Sequence, residues 1–173
     1  MTAVAAQADR VAQAWAVLHS VLDPEVPALS VCDLGIVREV IAHDEGLELV
    51  LTPTYSGCPA TEVIEADCRA AIAAAGRGAS WVTLRRAPAW TTDWISAAGR
   101  DKLQAYGIAP PGPVLPGDGV PMRLVRRGAG PAIACPRCHS TATEQLSAFG
   151  ATACKSLYRC LACREPFEHF KPI

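Results

Sequence analysis

Four of the eight cysteines form two pairs with the spacing of a metal site. The pairs lie in "CPRC" and "CLAC", which 21 residues separate. A two-residue spacer lets both sulfurs of one turn reach a single ion, and four thiolates make a closed tetrahedral site that favours zinc. An iron–sulfur cluster on the same thiolates is the alternative. The predicted ligands are Cys135, Cys138, Cys160 and Cys163.

The predicted role of this zinc is structural, because a closed four-sulfur site has no open coordination position. The tail that holds it has about 40 residues, near the size below which a chain rarely forms a stable core without a metal or disulfides. Cys154 is either an alternate ligand or a small buried residue. His139 and His169 are predicted to be surface residues, since four well-spaced sulfurs are already available.

Cys58 stands in a different setting, in "TPTYSGCPATEVIE" at the start of a predicted helix. The unpaired amides and positive dipole end of a helix N-terminus stabilise a thiolate and improve it as a metal ligand. Gly57 lets a cluster or a partner approach the backbone closely. Cys58 is therefore a candidate functional thiol, and an incidental cysteine in a tight turn is the alternative reading.

Charge and hydropathy exclude several classes of protein. The chain has 173 residues, with 16 basic and 17 acidic residues, so bulk charge indicates neither nucleic acid nor an anionic membrane as a partner. No apolar run approaches the roughly 18 residues that span a bilayer. The N-terminus lacks the basic and apolar regions of a signal peptide. We therefore expect a cytoplasmic protein, in which reduced thiols serve metal ligation or reactivity rather than disulfides.

The first 106 residues alternate helical and strand patterns. An amphipathic helix ends before "DPEVP", and the strands "GIVREVIAH" and "GLELVLT" flank the turn residues "HDEG" as a hairpin. A second helix is predicted over Pro59 to Ala75, a third strand at "SWVTLRRA", and a short helix over Ser96 to Tyr106. The order α-β-β-α-β-α predicts an α+β fold, a small mixed sheet packed with helices, followed by a zinc-ribbon-like tail.

The composition changes after residue 106. Gly and Pro make up 12 of the 28 residues from 107 to 134, which is typical of a linker. The predicted domains are thus 1–106, a linker at 107–132, and a four-cysteine domain at 133–173. A Pro-rich segment packed along the first domain is the alternative.

Three segments of the first domain together resemble one family. They are "LDPEVPALSVCDLGIVREV", "TPTYSGCP" and "APAWTTDWIS", and they are similar to the small metal–sulfur cluster assembly proteins that include SufT-like factors. The stretch "WTTDWISAAGRDKLQAYGIAPP" and the run from Cys135 to Lys171 resemble the PaaD (PaaJ) branch, from phenylacetyl-CoA epoxidase gene sets. Cys32 departs from the aliphatic residue expected there, and a small buried thiol is a tolerable replacement.

The resemblance implies an accessory protein of the phenylacetyl-CoA epoxidase system in aerobic phenylacetate degradation. Cys58 would be a transient ligand for iron or an iron–sulfur cluster, flanked by Asp23 and Glu25, whose alternative role is turn chemistry. The implied partners are the oxygenase and iron–sulfur reductase components, and a homodimer would bring two Cys58 residues to one cluster. No catalytic residue is assigned.

Other functions stay open from the residues alone. A non-catalytic docking subunit of the oxygenase is the first. A thiol enzyme is the second, although no histidine lies near Cys58 in sequence to act as its base. A nucleic-acid-binding ribbon is the third, weakened by acidic residues among the basic ones of the tail.

Overall fold

The computed structural model describes residues 3–55, 60–114 and 132–173. The chain divides into two compact units, Met1–Gly99 and Arg100–Ile173. The domain boundaries expected after residues 106 and 132 remain a prediction, and positions 115–131 of the expected linker lie outside the described residues. No helix within the described ranges is long and apolar enough to cross a membrane.

The first unit packs two helices with a three-stranded sheet of order β1-β2-β3. β1 and β2 pair antiparallel as the predicted hairpin, and β3 joins β2 in parallel after the second helix. A bulge interrupts β1 between Val37 and Glu39. Its elements are α1 (Ala3–Leu18), β1 (Val37–Ala42), β2 (Leu47–Leu51), α2 (Ala60–Ala74) and β3 (Ser80–Leu84).

The core of this unit follows from the alternation in β2. Leu47, Leu49 and Leu51 are at most 1% exposed, as expected for the covered face of a strand with a two-residue period. Ile64, Cys68 and Ile72 form a buried stripe on α2 at helical spacing. The predicted α+β fold is confirmed, because the hairpin, the second helix and the third strand all form where the patterns place them.

Two of the motifs shared with the resembled family meet in this unit. The carboxylate of Asp33 accepts hydrogen bonds from Ser30 Oγ (2.8 Å) and Ser96 Oγ (3.1 Å). Gly35 has a φ of 69°, and a Cβ at that position would lie 2.7 Å from the carbonyl oxygen of Trp94. Only glycine fits this turn without strain, so "DLG" and "WTTDWIS" are complementary parts of one packed corner.

The second unit contains a four-stranded sheet of order β4-β7-β6-β5. β4 pairs in parallel with β7, and the other neighbours are antiparallel. The helix α3 (Ala97–Tyr106) precedes β4 and ends at Gly107, which has a φ of 93°. The strands are β4 (Ile108–Ala109), β5 (Thr143–Ser147), β6 (Lys155–Cys160) and β7 (Pro166–Phe170).

The second unit has a small core, which includes Leu103, Phe170 and one buried cluster of Ala109, Cys135, Cys160 and Phe167. Two of the four cluster members are predicted metal ligands, which agrees with the expectation that this part of the chain needs a metal to stabilise it. The prediction that His169 lies on the surface was wrong. Its side chain is 5% exposed, because alternation along β7 places it on the same strand face as Phe167.

Candidate metal centre and thiol site

The two cysteine pairs converge on one point. The Sγ atoms of Cys135, Cys138, Cys160 and Cys163 all lie within 4.8 Å of one another. Cys138 Sγ is 3.5 Å from Cys160 Sγ, and Cys135 Sγ is 3.8 Å from Cys163 Sγ. Sulfurs at the corners of a tetrahedron around zinc, with Zn–S of about 2.3 Å, stand about 3.8 Å apart. The donor set therefore fits a single zinc ion.

The chain builds each half of this site with the same turn. Cys135 N donates to Ser140 O, and Cys160 N donates to Glu165 O, both at 3.0 Å and both across five residues. The residue after each pair, His139 or Arg164, has a φ of 60° or 68°. This left-handed residue folds the chain back and turns both sulfurs of a pair inward.

The second cysteine turn also stabilises the thiolate of Cys160. The backbone N–H of Cys163 lies 3.5 Å from Cys160 Sγ. This donor is the main reason that the pKa of the Cys160 thiol falls to about 6. Metal binding needs the thiolate, so this backbone N–H favours the protonation state that binds a metal.

One ion suits these distances better than a multi-iron cluster. In a cluster the four thiolates are divided among two or more irons, so they surround the whole cluster rather than one atom. The group of four does not include Cys154, whose Sγ lies 3.0 Å from Thr152 Oγ1. Cys154 is buried near the end of the turn between β5 and β6.

Asp23 is built into a turn. Its Oδ1 accepts hydrogen bonds from the backbone N–H of Glu25 (2.9 Å) and of Val26 (2.7 Å), and its residue is 6% exposed. This geometry matches the turn chemistry that the sequence offers as the alternative role for Asp23. Glu25 is half-buried beside it.

Cys58 lies outside the described residues, as do its neighbours at positions 56, 57 and 59. The structure describes the residues on both sides of positions 56–59. Thr52, which follows β2, is 1% exposed, and its backbone N–H donates to Ile36 O at 2.8 Å. Its Oγ1 is buried without a hydrogen-bond partner in the described structure. Such a hydroxyl is uncommon in a protein interior.

Comparison with known proteins assigns the chain to a family. A family model described as an iron–sulfur cluster assembly protein matches residues 11–82, and one described as a PaaD zinc beta ribbon domain matches residues 121–171. The chain is 46% identical over 164 residues to a protein of Escherichia coli (strain K12), covering 95% of this chain and 94% of that protein. That protein is named as a putative subunit of 1,2-phenylacetyl-CoA epoxidase. The chain belongs to the PaaD family.

Membership in the PaaD family confirms the resemblance inferred from the motifs. A domain of unknown function from Bacillus anthracis, of known crystal structure, is 23% identical and has a TM-score of 0.54. It covers 58% of this chain and 96% of its own, and it supports the fold alone. A conserved hypothetical protein from Thermotoga maritima is 29% identical, covering 52% of this chain and 89% of its own, with a TM-score of 0.44.

Sequence patterns missed part of the surroundings of the four cysteines. Gln104 Nε2 donates to Pro136 O at 2.9 Å, inside the first cysteine turn. Ala109 packs in the buried cluster with Cys135 and Cys160. Neither residue type carries a metal-site signal. Only the stretch "YGIAPP", which is shared with the PaaD branch, could have pointed to them, since Ala109 lies in it and Gln104 lies two positions before it.

Proposed function

We propose that this protein assists the assembly of an iron or iron–sulfur centre in the phenylacetyl-CoA epoxidase system. The observation that carries this proposal is a double match. Its residues 11–82 match an iron–sulfur cluster assembly protein, and nearly its whole length matches a putative epoxidase subunit. The clients in this proposal are the oxygenase and the iron–sulfur reductase components.

The proposed working group is the thiolate of Cys58. α2 begins at Ala60 and has 15 residues, so a thiol placed just before it would gain from the unpaired amides of the helix start. A single thiolate holds iron loosely enough to pass it on, whereas a cage of four ligands retains it. A homodimer that joins two Cys58 thiolates at one cluster is part of this proposal.

Asp23 and Glu25 are the proposed oxygen ligands beside Cys58. Asp23 Oδ1 is engaged by two backbone N–H groups, which fixes the orientation of that carboxylate. Glu25 is half-buried on the same turn. Carboxylate oxygens suit ferrous iron in combination with softer ligands.

The four-cysteine site is proposed to hold structural zinc. Bound zinc would supply the cross-link that the small core of the second unit lacks. This unit would then serve as a rigid module rather than as the site of iron transfer.

The experiment for this function measures the clients in cells. A strain without this gene would be complemented with the wild-type chain, Cys58→Ala, or the matched control Cys32→Ala. Iron and acid-labile sulfide would then be measured per chain in the isolated oxygenase and reductase. The proposal expects normal client iron with the wild type and Cys32→Ala, and loss with Cys58→Ala. Normal client iron with Cys58→Ala would overturn the role of this thiol.

A non-catalytic docking subunit is the second candidate, and the surface of β5 and its following turn favours it. Leu146 is 50% exposed and Phe149 is 65% exposed. The turn that carries Phe149 is held by Glu168 Oε1, which accepts from Ala151 N at 2.7 Å. Aromatic side chains are enriched at protein–protein interfaces, so an exposed one on a hydrogen-bonded turn favours docking. Copurification with the oxygenase at fixed stoichiometry, lost in Phe149→Ala, is the result expected for docking.

A further inference from the structure

The unit that holds the four cysteines includes residues that precede the Pro/Gly-rich stretch. β4 adds an edge strand to the sheet, with Ile108 opposite Glu168 and Ala109 opposite His169 on β7. The zinc ribbon model begins only at residue 121, and the assembly model ends at residue 82. Residues 100–111, called the supporting segment below, therefore belong to neither match.

Two observations place the supporting segment beside the four-cysteine site. Gln104 Nε2 donates to the carbonyl oxygen of Pro136, which lies between Cys135 and Cys138. Ala109 is 2% exposed and packs in the same buried cluster as Cys135 and Cys160. The hydrogen bond fixes the backbone of one cysteine turn, and the shared cluster places Ala109 in the same buried region as one cysteine from each pair.

A hydrogen bond within the supporting segment also holds its two ends together. Arg100 Nη1 donates to Pro111 O at 2.7 Å, which ties the start of the segment to its end. The supporting segment therefore has a defined conformation of its own beside the cysteines.

We propose that Gln104 is a positioning residue of the metal centre and that the supporting segment holds the first cysteine turn in its metal-binding conformation. Four sulfurs reach one ion only when both turns are oriented, and groups behind the ligands commonly fix that orientation. Coupling works in both directions, since a segment that favours metal binding is itself stabilised by the metal. This inference is independent of any role of Cys58.

The first test measures zinc release from the full-length chain. Zinc-loaded wild type, Gln104→Ala and Gln145→Ala would each be mixed with excess chromogenic chelator. Gln145 is a matched control because it lies in β5, and its side-chain amide donates to Ser147 O, not to a cysteine turn. Loss of one hydrogen bond, worth about 1 kcal/mol, corresponds to zinc release faster by roughly five-fold in Gln104→Ala. Equal release from both variants would overturn the role of Gln104.

The second test needs no variant. Hydrogen exchange of the wild-type chain would be compared with zinc bound and after chelation. We expect peptides from the supporting segment to lose protection together with β6 and β7, while β1 and β2 of the first unit keep theirs. A supporting segment that stays protected after zinc leaves would overturn the coupling.

Discussion

Cys138 Sγ lies 3.5 Å from Cys160 Sγ although 22 positions separate the two residues in the chain. Each sulfur belongs to a different copy of the same turn, and the β5–β6 hairpin between them brings the copies together. A reduced pair at this distance is unstable as two thiolates, because like charges at short range repel strongly. A bound cation removes that repulsion, which explains why this arrangement implies a metal.

Substitutions can distinguish the four predicted zinc ligands from Cys154. Cys160→Ser is expected to lose the zinc of the wild type, because one ligand of the tetrahedron is weakened and its packing in the core changes. Cys154→Ala is expected to keep about one zinc per chain, since its sulfur lies outside the group of four. Metal analysis of the purified chains checks both. Zinc loss in Cys154→Ala would make Cys154 a ligand.

A buried ion pair stabilises the pairing of β6 with β7. These strands belong to the four-cysteine part of the second unit, residues 133–173, which is called the ribbon below. Lys155 Nζ lies 2.7 Å from Glu168 Oε2, and the Lys155 side chain is 5% exposed. Lys155→Met should cost about 2–3 kcal/mol, because it leaves a partly buried carboxylate without its cation. The exposed pair Arg159–Glu144 is the control, and Arg159→Met should cost less than about 1 kcal/mol.

Native-state hydrogen exchange of β6 in zinc-loaded chains measures both costs. Equal costs for the two substitutions would contradict the importance given to burial. The double variant Lys155→Met with Glu168→Gln should recover part of the loss, since it removes the uncompensated charge and keeps an oxygen that can accept from Ala151 N.

Gly35 is predicted to be irreplaceable in the first unit. Gly35→Ala places a Cβ 2.7 Å from the carbonyl oxygen of Trp94 and adds the strain of a φ of 69°. We expect a cost of about 3 kcal/mol or more, of which left-handed strain alone accounts for about 1–2 kcal/mol. Gly76→Ala isolates the strain, because Gly76 has a φ of 66° and nothing within 4 Å of its Cβ position. Unfolding followed by tryptophan fluorescence compares the two.

The ribbon is predicted to lose stability as the pH falls below about 6.5, the ordinary pKa of histidine. Burial lowers the pKa of His169 in the folded state, so the unfolded chain binds a proton first and stability falls with decreasing pH. His169→Phe should flatten part of this dependence, whereas His139→Gln, at an exposed position, should not. Hydrogen exchange of β7 in zinc-loaded chains at pH 7.5 and 5.5 measures the difference. An identical pH dependence in His169→Phe and wild type would contradict the prediction.

Local patterns determine most of the first unit and the ligand set of the second. Leu47, Leu49 and Leu51 are two residues apart, so they lie on one face of a strand and predict which face is buried. The C-x2-C spacing predicts which sulfurs share an ion. The burial of His169 could also have been predicted from the sequence, since it lies two residues from Phe167 on one strand.

The supporting segment could not be predicted in the same way. β4 has two residues, Ile108 and Ala109, too few to show a period, and its partner strand lies 60 positions further along the chain. Its pairing depends on tertiary contacts that no local pattern encodes. The site around Cys58 is predicted from helix-start chemistry and from family resemblance, and it stays a prediction.

The proposed division of roles is that Cys58 holds iron while the four-cysteine site holds zinc. Its most direct test is the iron, sulfide and zinc content per chain of protein purified without oxygen, for wild type, Cys58→Ala and the control Cys32→Ala. We predict about one zinc per chain in all three, with iron and sulfide in wild type and Cys32→Ala only. Iron absent from all three, or retained in Cys58→Ala, would contradict the claim.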